Sequence, residues 1–215
     1  MQKPLAPSSF SALANGPFFR LWAAALASGT AVAADQTAAR WALNHLSASA
    51  FIISLLSSTA ALPFLVFTLP AGFLADAVDR RLLLRVINVW QALVAGALAF
   101  LGFRGALSPA ALLIGSLALG VGFAFNAPVW TALIPDVVPE EELPSTATLG
   151  SLQMNLSGVV GPALGGVLLA FSGPPVVFGL NALGFLGVVA ALRADPHRPS
   201  PAKPPPGAGG MVSSL

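Results

Sequence analysis

Gly72-Phe-Leu74-Ala-Asp76-Ala-Val-Asp79-Arg80-Arg81 is the stretch that decides the fold. It packs a glycine and four charged residues into ten positions of a chain that is only 8% charged. Apolar runs at about 50–75 and 83–103 flank it, each long enough to cross a hydrocarbon core of about 30 Å. A short charged turn between two such runs is where a chain leaves a bilayer and re-enters it.

The composition outside this turn agrees. The chain is 56% hydrophobic with mean hydropathy +0.82, above the roughly 45–50% apolar content of soluble domains. Ten basic and eight acidic residues in 215 cannot cover the surface of a soluble protein, whereas lipid tolerates such a surface. The sequence pI is 9.9, but the net charge is only +2 and the basic residues form no stripe, so no nucleic-acid partner is expected. There is no cysteine, and His45 and His197 lie far apart, so thiolate chemistry and a metal or haem cofactor have no donor set. The phosphate-binding pattern G-x-x-x-x-G-K-[ST] is absent, and no nucleophile, base and metal set converges. No cofactor and no enzymatic activity are expected.

Six segments qualify as spans, at about 20–44, 50–75, 83–103, 108–134, 146–171 and 174–193. The expected fold is therefore an all-α membrane protein. Residues 1–19 form a cytoplasmic N-terminal segment without signal-peptide character, 20–193 a six-span bundle, and 194–215 a disordered Pro/Gly-rich cytoplasmic tail. Lys3, Arg20, Arg80, Arg81, Arg85, Arg193, Arg198 and Lys203 fall on one side, Arg40 and Arg104 on the other. The positive-inside rule places both termini in the cytoplasm, in a multi-pass plasma (inner) membrane protein.

Gly158-Val-Val-Gly161-Pro162-Ala-Leu-Gly165-Gly166 lies in the fifth segment. Small residues at 157/161/165 and 158/162/166 recur at helical spacing on adjoining faces, which suits close helix packing, and Pro162 is expected to kink the helix. Taken alone, the glycines read first as a helix interface without a transport role, whereas an ordinary cytoplasmic turn at Asp79-Arg80-Arg81, with Asp76 solvated, is only the second reading of that loop.

Together the two motifs say more. G-x-L-x-D-x-x-(G/D)-R-R between a second and third span resembles the loop of the major facilitator superfamily (MFS) of secondary transporters. G-P-x-x-G-G in a fifth span is similar to the antiporter motif of its drug/proton exchangers. Ala132-Leu-Ile-Pro135-Asp136-Val-Val-Pro139, Arg20-Leu21-Trp22 and Asn181-Ala-Leu-Gly-Phe-Leu resemble the enterobactin exporter and transmembrane secretion effector group. The resemblance covers residues 17–193 and corresponds to the N-terminal six-helix half of a twelve-helix transporter. It implies efflux of a small amphipathic molecule, proton-coupled, by alternating access. It also implies a cytoplasmic latch loop built from Gly72, Asp76, Asp79, Arg80 and Arg81. Asp79 stands where the family pattern has a second glycine, and the fourth span has no arginine to pair with the loop.

Polar residues within spans are costly and mark function by default. Asp35, Gln36, Asn126 and Asn155 are the candidate substrate and proton pathway. Asp35 reads either as a carboxylate facing a cavity or as one that reaches water near the outer surface. Asn126, Gln153, Asn155 and Asn181 each read first as interhelical glue and second as cavity lining, and Trp22, Trp41, Trp90 and Trp130 read as interfacial belt residues. The expected partners are the lipid bilayer, a small-molecule substrate and a second six-helix bundle, from a homodimer or a separate C-terminal half. The alternative is a truncated, non-transporting membrane remnant or assembly partner.

Overall fold

The computed structural model describes residues 10–46 and 48–194, without the side chains of residues 75 and 76. Six long helices account for nearly all of it: α1 (Gly16–His45), α2 (Ala50–Ala77), α3 (Arg80–Phe103), α4 (Pro109–Val137), α5 (Leu143–Ser172) and α6 (Pro174–Ala194). Short 3-10 turns at Ser11–Ala14 and Glu140–Glu142 precede α1 and α5. The expectations for residues 1–9 and 195–215, and for the side chain of Asp76, lie outside the described residues.

Local chemistry sets where the helices begin. The side chains of Asn15, Ser49, Asp79 and Ser108 each accept from a backbone N–H in the first turn of the following helix, filling the N-cap role these residue types favour. Gly105 (φ 65°) ends the turn after α3, and Gly173 (φ 73°) separates α5 from the Pro174-Pro175 start of α6.

α2 to α6 are each long and apolar enough to cross a membrane. The sixth expected span, α1, is as long as the others but less apolar. At 30 residues α1 is about 45 Å long, but Arg20, Asp35, Gln36 and Arg40 dilute its apolar character. Its place in the bundle comes from packing instead.

The helices run alternately up and down. One end gathers the start of α1, the end of α4 and the start of α5, where Asn15 Nδ2 donates to the Val137 carbonyl (3.2 Å) and the Ala12 N–H donates to Ser145 Oγ (3.2 Å). At the other end Gly102 of α3 lies against Pro175 of α6. α1 packs chiefly on α5 and α6, α3 on α6 and α4, and α2 on α4. The helices thus form a bent row α5–α1–α6–α3–α4–α2, in which α1 and α4 meet only thinly.

Small residues make these contacts close. Ala34, Ala38, Ala39, Ala42, Leu98, Ala99 and Phe178 share one buried cluster, as expected where helix association depends on backbone approach rather than on water exclusion. Leu65, Phe73, Val159 and Phe171 point outward, which suits lipid.

Candidate functional site

The thin contact between α1 and α4 leaves a cavity of about 520 Å³, with α2 as its third wall. Asp35, Gln36 and Arg40 enter it from α1, Ser57 from α2 and Asn126 from α4; the remaining lining is mostly apolar. Three of the four candidate pathway residues therefore meet on one cavity. Asn155 does not join them. It sits on the exposed face of α5, with its amide donating to the Ser151 carbonyl of its own helix (2.8 Å).

Asp35 is the acid on this cavity and is only 5% exposed. Its Oδ1 has no hydrogen-bond partner. Asn181 of α6, fully buried, lies near the carboxyl. The pair is not closed into a hydrogen bond of ordinary geometry, since neither amide atom of Asn181 has a partner. Arg40 lines the same cavity, yet among the described residues no ion pair joins it to Asp35. Five residues of separation put the two on different parts of the helix face. A carboxyl left partly unsatisfied at this depth can exchange a proton with a group arriving in the cavity.

The turn expected over 72–81 is shorter than read from sequence: Gly72–Ala77 completes α2, Arg80 opens α3, and only Val78 and Asp79 lie between the helices. Asp79 has φ −57°, a conformation that needs no glycine, and its Oδ1 accepts the Leu82 N–H (2.9 Å) to cap α3. Arg80 Nη1 donates to Asp136 Oδ2 at 2.9 Å, tying the start of α3 to the end of α4. The fourth helix lacks an arginine but supplies an acid, which the residues alone did not single out as a partner. The two side chains are 28% and 20% exposed. A double-mutant cycle of Arg80→Ala and Asp136→Ala is expected to give a coupling of about 0.5–1 kcal/mol, because a part-exposed pair gains little over its hydration. Additive single-variant stabilities in that cycle would show no coupling. Gly72 lies in open space, since a Cβ there would meet nothing within 4 Å.

The glycine motif of α5 splits into two faces. Gly161 and Gly165 press on α1: a Cβ at 161 would lie 2.5 Å from Ala33 Cβ and 2.7 Å from the Thr30 carbonyl, and one at 165 would lie 3.0 Å from Ala34 Cα. Ser157 Oγ and Gln153 Nε2 donate to the Leu26 and Ala25 carbonyls on the same seam, so Gln153 is glue. Gly158, Pro162 and Gly166 face outward, and the helix continues through Pro162.

Several buried polar groups carried no distinguishing signal in the sequence. Gln91 of α3 is fully buried against Gly122 of α4, and Asn88 Nδ2 donates to its own Leu84 carbonyl (2.8 Å). Trp90 is not a belt residue at a span end. It sits mid-helix, and its indole N–H donates to the Ala118 carbonyl of α4 (3.0 Å).

The family model described as "Transmembrane secretion effector" matches residues 7–206. The chain belongs to the transmembrane secretion effector family, within the MFS. As a family member it is similar to Macrolide efflux protein A of Streptococcus pyogenes, with 28% identity over 178 residues, 83% of this chain and 42% of that protein. It is also similar to Macrolide efflux protein A of Enterococcus faecalis, with 29% identity over 147 residues, 68% of this chain and 43% of that protein. The chain spans less than half the length of these curated relatives. No solved structure matches it. The cavity described above thus belongs to a multi-pass membrane protein of an efflux-type transport family.

Proposed function

We propose that this bundle is one half of a proton-coupled exporter of small amphipathic molecules. All six helices span the membrane, α1 being held there by α5 and α6, with the end carrying Arg80 and Arg81 in the cytoplasm. A second six-helix bundle, from another copy or a separate C-terminal half, closes the open side. The observation that carries the reading is the 520 Å³ cavity, where apolar walls surround one buried acid. Apolar walls accept the body of an amphipathic molecule, and the acid offers a site for a counter-transported proton. The names of the macrolide efflux relatives support export, and the match to about two-fifths of their length agrees with this bundle being one part of a larger transporter. The loop residues Gly72, Asp76, Asp79, Arg80 and Arg81 would serve as the latch between the halves, and the outward face of Gly158, Pro162 and Gly166 as part of their contact. Asn155, on the same side of α5, would reach the substrate only at that contact.

The test is flux in proteoliposomes under an imposed pH gradient, across a series of protein-to-lipid ratios. Export of an amphipathic dye is expected to collapse when a protonophore removes the gradient, and to fall steeply on dilution unless a second bundle is co-reconstituted. Export by the isolated chain at a dilution that prevents association would contradict the pairing. A chain that inserts but gives no gradient-driven flux with any second bundle would be the non-transporting alternative.

A further inference from the structure

A second cavity, of about 350 Å³, opens at the end of the bundle where the 72–81 loop lies, between the start of α1, the end of α4 and the start of α5. Phe18 and Trp22 of α1, Trp130 of α4, and Gly150 and Gln153 of α5 line it. It continues the seam that forms the larger chamber. On α4, Phe123, Asn126 and Ala127 line the first cavity, while Trp130, Thr131 and Ile134 line the second, three or four residues further along one face. On α1, Val32 and Gln36 line the first, with Trp22 and Phe18 below them on the same stripe. The two chambers differ in chemistry. The first carries Asp35 and Arg40, whereas no charged side chain lines the second.

The polar groups of the second chamber are mostly committed as donors. Trp22 Nε1 donates to the Leu149 carbonyl, Gln153 Nε2 to Ala25, Thr131 Oγ1 to Ala127 and Thr146 Oγ1 to Leu143. The Trp130 indole N–H has no partner among the described residues. What remains is a set of aromatic surfaces with one uncommitted indole donor. A volume of about 350 Å³ is within the range of small-molecule sites, about 300–1,000 Å³. The space is not a packing necessity, because a Cβ at Gly150 would meet nothing within 4 Å.

We propose that this chamber is a binding subsite for a flat, uncharged aromatic ring system bearing a hydrogen-bond acceptor, held against Trp22 and Trp130 before it reaches the chamber of Asp35. Its place on an export route rests on the efflux reading; binding in the chamber does not. Aromatic faces offer such a ring broad contact, and the Trp130 N–H fixes its orientation through the acceptor.

The probe is 7-ethoxycoumarin, a neutral flat fluorophore with a carbonyl acceptor, titrated against the full chain in lipid nanodiscs with empty discs as the reference. Saturable binding above the empty discs is expected, weakened at least ~10-fold by Gly150→Phe, which fills the chamber without a backbone clash. Trp130→Ala is expected to match it, and Trp130→Phe, which keeps an aromatic ring but loses the N–H, to weaken binding only a few-fold. Leu65→Ala, on the outward face of α2 away from both chambers, is expected to leave binding unchanged. Helicity and melting report folding, and if Trp130→Ala fails to fold, Gly150→Phe decides. Binding indistinguishable from empty discs, or equal binding by Gly150→Phe and the unmodified chain, overturns the subsite. Retained binding without gradient-driven flux would remove the efflux reading and leave the subsite standing.

Discussion

Replacing Asp35 by asparagine is expected to reduce proton-driven export to the level of protein-free liposomes, with helicity and membrane insertion unchanged. The argument is steric and chemical at once. Asparagine has the shape of aspartate, so the walls of the cavity and the contact with Asn181 stay filled. It cannot take up or release a proton at neutral pH. Among the residues lining the cavity, Asp35 is the one acid, so nothing nearby replaces it. Insertion is protected because an amide costs less than a carboxylate in a bilayer. The measurement is dye flux as a function of the imposed pH gradient, for the native chain, Asp35→Asn and Asp35→Glu. The glutamate variant should keep the pH dependence at reduced rate, since it holds a carboxyl about one bond length out of place. PH-dependent flux that persists in Asp35→Asn would remove Asp35 from the mechanism.

The largest structural effect is expected at Gly161. Leucine there must place its Cβ 2.5 Å from Ala33 Cβ and 2.7 Å from a backbone oxygen of α1, and backbone does not yield as a flexible side chain does. Overpacking a close interface costs about 1–3 kcal/mol, and more when the obstacle is main chain. Gly161→Leu should therefore cost about 3 kcal/mol and part α5 from α1. The matched control is Gly158→Ala, on the same helix but facing outward with nothing within 4 Å of the new Cβ. It should be neutral or stabilise by up to about 1 kcal/mol through helix propensity. Unfolding in graded denaturing detergent reads both, and equal stabilities would refute the role given to Gly161. The seam matters for function as well as stability, because Gly165 rests on Ala34, the residue next to Asp35.

These two sites show how far the residues alone could go. Asp35 was legible because a carboxylate in an apolar run is expensive and therefore conspicuous. Gln91 and Asn88 were not, because an amide inside a helix looks the same whether it points to lipid, to its own backbone or to a neighbour. The glycines of α5 announced close packing, but both small-residue rows looked alike. Only the position of α1 made Gly161 and Gly165 the buried row and left Gly158 and Gly166 exposed. Trp22 and Trp130, read as belt residues, line a chamber because α1, α4 and α5 converge at that end. Asp136 was one of several acids after the fourth span until the fold set it 2.9 Å from Arg80.

The sequence by itself determined that the chain is helical and built for lipid, that it turns at Gly72–Arg81, and which family it resembles. Those properties reside in apolar run length, caps and short motifs, all of which are local. The tertiary structure decided which polar residues share a cavity and which glycine face is buried. It also decided that Arg80 meets Asp136 and that α1 belongs in the bundle despite its charges. Such outcomes depend on the order α5–α1–α6–α3–α4–α2 in which the helices pack. That order is set by the summed fit of many small contacts between segments distant in sequence, and no single segment carries it.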